Sequence, residues 1–275
     1  MAIKDILVVV DLFGKRVAVD LAIDLAAKTS AHLTGVSTVF QPTISGYAAA
    51  AVPADFIAAT LEAAQSDAKK AAAAFRESAD RAGIQSDARV ADLAAGTGFT
   101  EIVKQCRVTD LVVISQADPE RPEPLRPSLI EAILFEGGAP MLVVPYIATT
   151  RFKLDRALIA WDGSATAARA VHSALPVLAL AKQVEVLIAG PANPDPDAGL
   201  DIAQYLARHG LKIELLRTPK GDIEVADILL NYVSDKNFDW VVMGAYGHSR
   251  LRELVFGGAT RDVLSEMTVP VLMTH

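Results

Sequence analysis

Four glycines frame one segment near the C-terminus of the chain. Gly244 and Gly247 follow an apolar run, and Gly257 and Gly258 precede a helical pattern. Glycine lets backbone N–H groups turn toward one point and approach an anion closely. A helix that starts after such a turn adds the positive end of its dipole. The segment therefore predicts a phosphate-binding loop, with turn glycines that only close a strand and start a helix as the alternative.

Polar side chains beside these glycines are further candidates. Ala259 and Thr260 open the helical pattern, and the Thr260 hydroxyl could donate one hydrogen bond to a phosphate. His248, Arg250 and Arg252 lie between the two glycine pairs. Cations there would either meet phosphate oxygens or stay solvated on an exposed segment.

A repeated alternation of strands and helices must position this segment. Ile6–Asp11 and Leu158–Asp162 are equivalent apolar runs, and each precedes an alanine-rich helical pattern. Continuous apolar runs are typical of parallel strands covered on both faces. We therefore expect an α/β fold of two tandem, doubly wound, five-stranded parallel-sheet domains, at residues 1–150 and 151–275. Gln41–Pro53 is an insertion in the first half, interpreted as either a lid or a surface loop.

The spacing of the glycines resembles that of the universal stress protein family. Its nucleotide-binding members carry Gly, two residues, Gly, nine residues, Gly, and then Ser or Thr. Gly244, Gly247 and Gly257 match this pattern, whereas Gly258 stands where the family commonly has Ser or Thr. The resemblance covers nearly the whole chain as two copies. It implies a Rossmann-like fold of the adenine nucleotide alpha hydrolase type.

The resemblance also implies roles for residues at other strand ends. Asp162 would face the ribose or a phosphate-bound magnesium ion, or else serve as a turn or capping aspartate. Backbone near Ile188 would hold the adenine of ATP, ADP or AMP. Trp161, next to Asp162, is interpreted as a core residue in preference to a stacking partner for the base.

The first half lacks the glycine pattern. Ser115, Asp118 and Pro127 stand at the positions equivalent to Gly244, Gly247 and Gly257. Proline has no N–H to offer, and an aspartate would repel phosphate. Asp11 is kept, but we expect only one nucleotide site per chain, in the second half.

Composition excludes other classes of function. The chain has 26 basic and 33 acidic residues, a net charge of −7, which argues against nucleic-acid binding. Cys106 is the single cysteine, and the N-terminus shows no secretory signal. We expect a cytoplasmic protein without a membrane partner. No metal-ligand spacing occurs, so only a magnesium ion on the phosphates, assisted by Asp162, is expected.

Three functions stay open on the sequence. The first is a stress-response protein that binds an adenine nucleotide and acts through conformation or protein partners. The second is a slow ATP hydrolase that uses Asp162, His248 or Arg250, and the third is a scaffold with a vestigial loop. The resemblance further implies that the two halves pair as an internal pseudo-dimer through their last strands, with homodimerisation undecided.

Overall fold

A computed structural model describes residues 2–40, 53–93, 99–121, 123, 125–148, 153–191, 197–246 and 258–275. Most of the predicted insertion, residues 41–52, and the segment 247–257 with Gly247, His248 and Gly257 lie outside the described residues. The described chain divides into two compact units. The first comprises Ile3–Ser115 and Pro119–Ala139, and the second contains Gln116–Asp118 and Pro140–His275.

The first unit is a parallel sheet with helices between its strands. Its strands are β1 (Asp5–Val10), β2 (His32–Phe40), β3 (Ser86–Leu93) and β4 (Leu111–Ser115). Its helices are α1 (Val17–Thr29), α2 (Ala54–Arg81), α3 (Thr100–Cys106) and α4 (Arg126–Glu136). The strand order is β3-β2-β1-β4, with every neighbouring pair parallel.

The second unit repeats this arrangement and adds two strands, β5 and β10. Its strands are β5 (Met141–Val144), β6 (Arg156–Ala160), β7 (Gln183–Gly190), β8 (Ile213–Pro219), β9 (Trp240–Gly244) and β10 (Val271–Thr274). Its helices are α5 (Ala165–Leu178), α6 (Leu200–Arg208), α7 (Val225–Lys236) and α8 (Ala259–Glu266). The order is β5-β10-β9-β6-β7-β8, and β5 alone runs antiparallel to its neighbour, β10.

Burial explains why the apolar runs form central strands. Val8, Val9 and Val10 of β1 are fully buried, as are Leu158 and Ile159 of β6. Both faces of these strands are therefore covered, as the continuous apolar runs predict. The α/β fold with its largely parallel sheets is confirmed.

The strand order also fixes where a ligand can approach. In each unit the order in which successive strands are added to the sheet reverses. This reversal lies between β1 and β4 in the first unit and between β6 and β9 in the second. Ligands of doubly wound folds bind outside the carboxyl ends of the strands at such a reversal. Asp11 and Ser115 lie at this place in the first unit, and Asp162 and Gly244 lie at it in the second.

Candidate functional site

Asp162 lies in the turn between β6 and α5 and is exposed. Its Oδ1 atom accepts the backbone N–H of Ser164 at 2.9 Å, while Gly163 supplies the left-handed conformation of the turn at φ +77°. Ser164 caps α5, because its Oγ accepts the N–H of Ala167 at 3.1 Å. Asp162 thus shapes the turn, and Ser164 is the helix cap.

Gly244 ends β9 directly against the start of α5. A Cβ atom at this position would lie 2.6 Å from the backbone nitrogen of Ala167 and 2.7 Å from the carbonyl carbon of Thr166. Neither backbone atom can move away without displacing the helix. Packing of β9 against α5 is therefore sufficient reason for a glycine here, whether or not a ligand also needs it.

Thr260 joins the end of β9 to the start of α8. Its Oγ1 accepts the backbone N–H of Tyr246 at 3.0 Å, and the residue is 4% exposed. Tyr246 has φ +53°, an uncommon left-handed conformation for a bulky residue. Because the Thr260 oxygen accepts this bond, its proton stays available for donation.

The amino end of α8 begins with two residues of small side chain. Gly258 is the N-cap residue in an extended conformation, with no side-chain capping bond, and Ala259 is the first helical residue. The first-turn N–H groups of a helix lack acceptors within it. This helix end therefore presents donors and a positive dipole end close to the carboxyl end of β9.

Ile188 is half-buried near the end of β7. The ladder between β6 and β7 ends at the pair Ala160 and Leu187, although β7 remains paired with β8 as far as Gly190. Ile188 and Ala189 therefore extend past β6 at the carboxyl edge. That position fits a backbone contact with a planar base.

The carboxyl edge of the first unit contains a buried ion-pair cluster that sequence reasoning missed. The Arg126 Nη2 atom lies 2.6 Å from the Glu123 carboxylate and 3.3 Å from Oδ1 of Asp11. The Ser115 hydroxyl donates to Oδ2 of Asp11 at 2.7 Å. Arg126 is only 2% exposed and Asp11 6% exposed. The chain's own guanidinium thus fills the space beside Asp11.

Pro127 and Asp118 also stand at first-half positions equivalent to glycines of the second half. Pro127 is the second residue of α4, where a missing N–H removes no helical hydrogen bond. Asp118 groups with the second compact unit, whereas Ser115 groups with the first. The signal for the cluster was a pair of opposite charges three residues apart, Glu123 and Arg126, at the start of a helical pattern.

Burial sets the protonation of Asp11. Desolvation is the largest influence and raises the pKa of its carboxyl from 3.8 to about 6. Arg126 and the hydrogen bond from Ser115 lower this pKa, but they do not offset the burial. Glu123 raises it further, and Arg16 lowers it slightly.

Two searches of the described residues were negative. They contain no group of three or more His, Cys, Asp or Glu side chains placed to hold a metal ion. Within the same residues, no helix combines the length and apolar character that a membrane crossing requires.

Comparisons with known proteins agree with this geometry. Residues 153–275 match the model of the Universal stress protein family. A universal stress protein of Synechocystis sp. is 32% identical over 147 residues, which are 52% of this chain and 49% of that protein. The match therefore spans about half the length of this curated relative.

Two solved structures resemble nearly the whole chain. A universal stress protein from Archaeoglobus fulgidus has a TM-score of 0.72 at 14% identity, covering 98% of this chain and 96% of that one. A functionally unknown protein from Pseudomonas aeruginosa has a TM-score of 0.59 at 19% identity, covering 99% and 92%. At these identities the likeness concerns the fold alone.

Proposed function

We propose that the C-terminal part of the chain, whose residues 153–275 match the model of the Universal stress protein family, binds one adenine nucleotide. The nucleotide is ATP, ADP or AMP, held outside the carboxyl ends of β6 and β9. The protein acts in a stress response through its conformation or through protein partners, without rapid turnover of the nucleotide.

The observation that carries this proposal is the hydrogen bond between Tyr246 and Thr260. It brings the end of β9 to the start of α8 at the point where the strand order reverses. Tyr246 and Thr260, which flank the glycine-spaced segment in the sequence, therefore lie at one place. Backbone donors and a helix dipole at that place suit phosphate oxygens and need no general base.

Each described candidate has a role in this proposal. The first-turn N–H groups of α8 and the Thr260 hydroxyl donate to phosphate, and Gly258 leaves the approach open. The exposed Asp162 carboxylate faces the ribose or a magnesium ion on the phosphates, where the ion would neutralise phosphate charge. The backbone of Ile188 and Ala189 contacts the base.

The first half supports a single site per chain. A ligand phosphate at the carboxyl edge of β1 and β4 would meet two carboxylates, Asp11 and Glu123, whose counter-ion Arg126 is already engaged. We propose a structural or regulatory role for this half. The internal pseudo-dimer of the two halves stays part of this proposal, as the family resemblance implies.

The test is to denature freshly purified protein and to identify the released nucleotide by chromatography and mass spectrometry. We expect near-equimolar adenine nucleotide, lost in Gly247→Asp. The matched control is Asp118→Asn, at the equivalent first-half position, which should retain it. No nucleotide in the wild type, and no binding of added ATP, would overturn the proposal in favour of a scaffold.

The phosphate count of the nucleotide separates binding from hydrolysis. ATP that stays intact during prolonged incubation supports a binding protein. Steady conversion to ADP, abolished in Asp162→Asn with binding retained, would instead establish the slow hydrolase.

A further inference from the structure

A cavity of about 180 Å³ lies between helices α5 and α6 of the second unit. It is lined by Trp161, Ala168, His172, Asp201, Ile202 and Tyr205. Trp161 is half-buried here and lines the cavity wall, so the core position expected from the sequence is not where it lies.

The spacing of the lining residues shows how the cavity is built. Ala168 and His172 are one turn apart on α5, and Asp201 and Tyr205 are one turn apart on α6. Ile202, 6% exposed, adds a buried apolar side chain. The short Ala168 side chain leaves space that a longer residue at this position would fill.

Aromatic rings dominate the wall and hold one another in place. The ring centroids of His172 and Tyr205 are 5.2 Å apart with the planes inclined at 55°. Those of Tyr205 and His209 are 4.7 Å apart at 58°. The faces of aromatic rings carry negative potential and attract cations, most strongly at tryptophan and tyrosine.

One carboxylate completes the lining. Oδ1 of Asp201 accepts the backbone N–H of Ile202 at 2.8 Å, which restrains the carboxylate in the first turn of α6. Among the described residues, neither a lysine nor an arginine lines the cavity. The Trp161 and Tyr205 side chains and one carboxylate line a surface that favours a positive charge and disfavours a phosphate.

We propose that this cavity binds a small organic cation with a quaternary or alkylated ammonium group. The apolar substituents of the cation contact the Trp161 and Tyr205 rings and Ile202, while its charge is shared between the ring faces and Asp201. The lining shares no residue with the proposed nucleotide site, although Trp161 directly precedes Asp162.

Choline is the probe, and its neutral carbon analogue 3,3-dimethylbutan-1-ol is the matched control ligand. Calorimetric titration of the full chain should show saturable binding of choline and none of the alcohol. Ala168→Leu should abolish binding by filling the cavity, and Asp201→Asn should weaken it about tenfold. Circular dichroism and retained nucleotide then verify that each variant is folded.

Two outcomes would overturn the proposal. Equal binding of choline and the alcohol would make the cavity a plain apolar hole, and an absence of choline binding would remove the site altogether. Where choline binds, cosedimentation with phosphatidylcholine vesicles assigns the cation to a lipid headgroup. Absence of cosedimentation assigns the cation to a free solute. Loss of nucleotide in Gly247→Asp leaves choline binding intact, so the two proposals fail separately.

Discussion

The two units have the same strand order at their carboxyl edges, but the residues that complete these edges differ. In the first unit, α4 begins with Arg126, whose buried guanidinium contacts Asp11 and Glu123. In the second unit, α8 begins with Ala259 after a glycine cap, and Asp162 is exposed. The first unit, which lacks the glycines, thus has a buried arginine beside the aspartate that follows its first strand, whereas the corresponding aspartate of the second unit is exposed.

The largest expected effect comes from removing that counter-ion. Arg126→Leu leaves Asp11 and Glu123 without their charged partner in a buried place, and should lower the free energy of unfolding by roughly 3–5 kcal/mol. Urea denaturation measures this loss. The matched substitution Ala259→Ser, at the first position of α8, should change stability by less than about 0.5 kcal/mol. A loss below about 1 kcal/mol in Arg126→Leu would show that the cluster is not a closed ion pair.

The second prediction concerns how Asp11 makes the stability of the protein depend on pH. Its pKa is raised from 3.8 to about 6, so the folded state binds the proton more tightly than the unfolded state. The free energy of unfolding should therefore fall as pH rises from about 4 to 6, by roughly 3 kcal/mol from this group. Asp11→Asn should remove that part of the dependence, visible as the difference between the two pH profiles. Parallel profiles would contradict the raised pKa.

The third prediction compares the ends of β4 and β9. Gly244→Ala places a methyl group against the backbone of α5 and should lower stability by about 1–3 kcal/mol. Ser115→Ala, at the equivalent position, adds no bulk but removes a donor from Asp11, and should lower stability by about 1–3 kcal/mol. Thermal unfolding gives both values, and only the Ser115 effect should diminish as the pH falls below about 6, where the folded protein binds a proton at Asp11. If Gly244→Ala leaves the stability unchanged but still abolishes nucleotide binding, this glycine is required by the ligand alone.

The smallest expected effect is at Thr260. Thr260→Val removes the acceptor of the Tyr246 N–H and should lower stability by about 1–2 kcal/mol, while weakening nucleotide binding. Thr260→Ser keeps the oxygen and should restore both properties. Retention of nucleotide in the valine variant would separate the hydroxyl from the phosphates.

The arrangement of strands and helices in the two units could be predicted from the sequence. Apolar runs identified the central strands, and the alanine-rich helical pattern predicted after Leu158–Asp162 corresponds to α5 (Ala165–Leu178). The glycines indicated the carboxyl edge of the strands in the second unit, because the backbone conformation of a turn determines which residue types it accepts. The roles assigned to Gly247, His248 and Gly257 stay predictions, since these residues lie outside the described chain.

The cluster around Arg126 could not be predicted in the same way. Arg126 and Asp11 are 115 residues apart, and each is a residue type common on surfaces. Similarly, the close approach of α5 to Gly244 depends on sheet–helix packing, which residue spacing does not record.

The pairing of β5 with β10 has a consequence for how the chain can be divided. Met141–Val144 borders a strand more than a hundred residues later, and Gln116 donates to the carbonyls of Leu264 and Ser265 at the end of α8. A fragment that starts at residue 151 would leave β10 paired only with β9, as an apolar edge strand and a template for self-association. A fragment that starts at Pro140 would keep that strand covered. Expression trials of the C-terminal part should therefore begin about ten residues earlier than the repeat alone suggests.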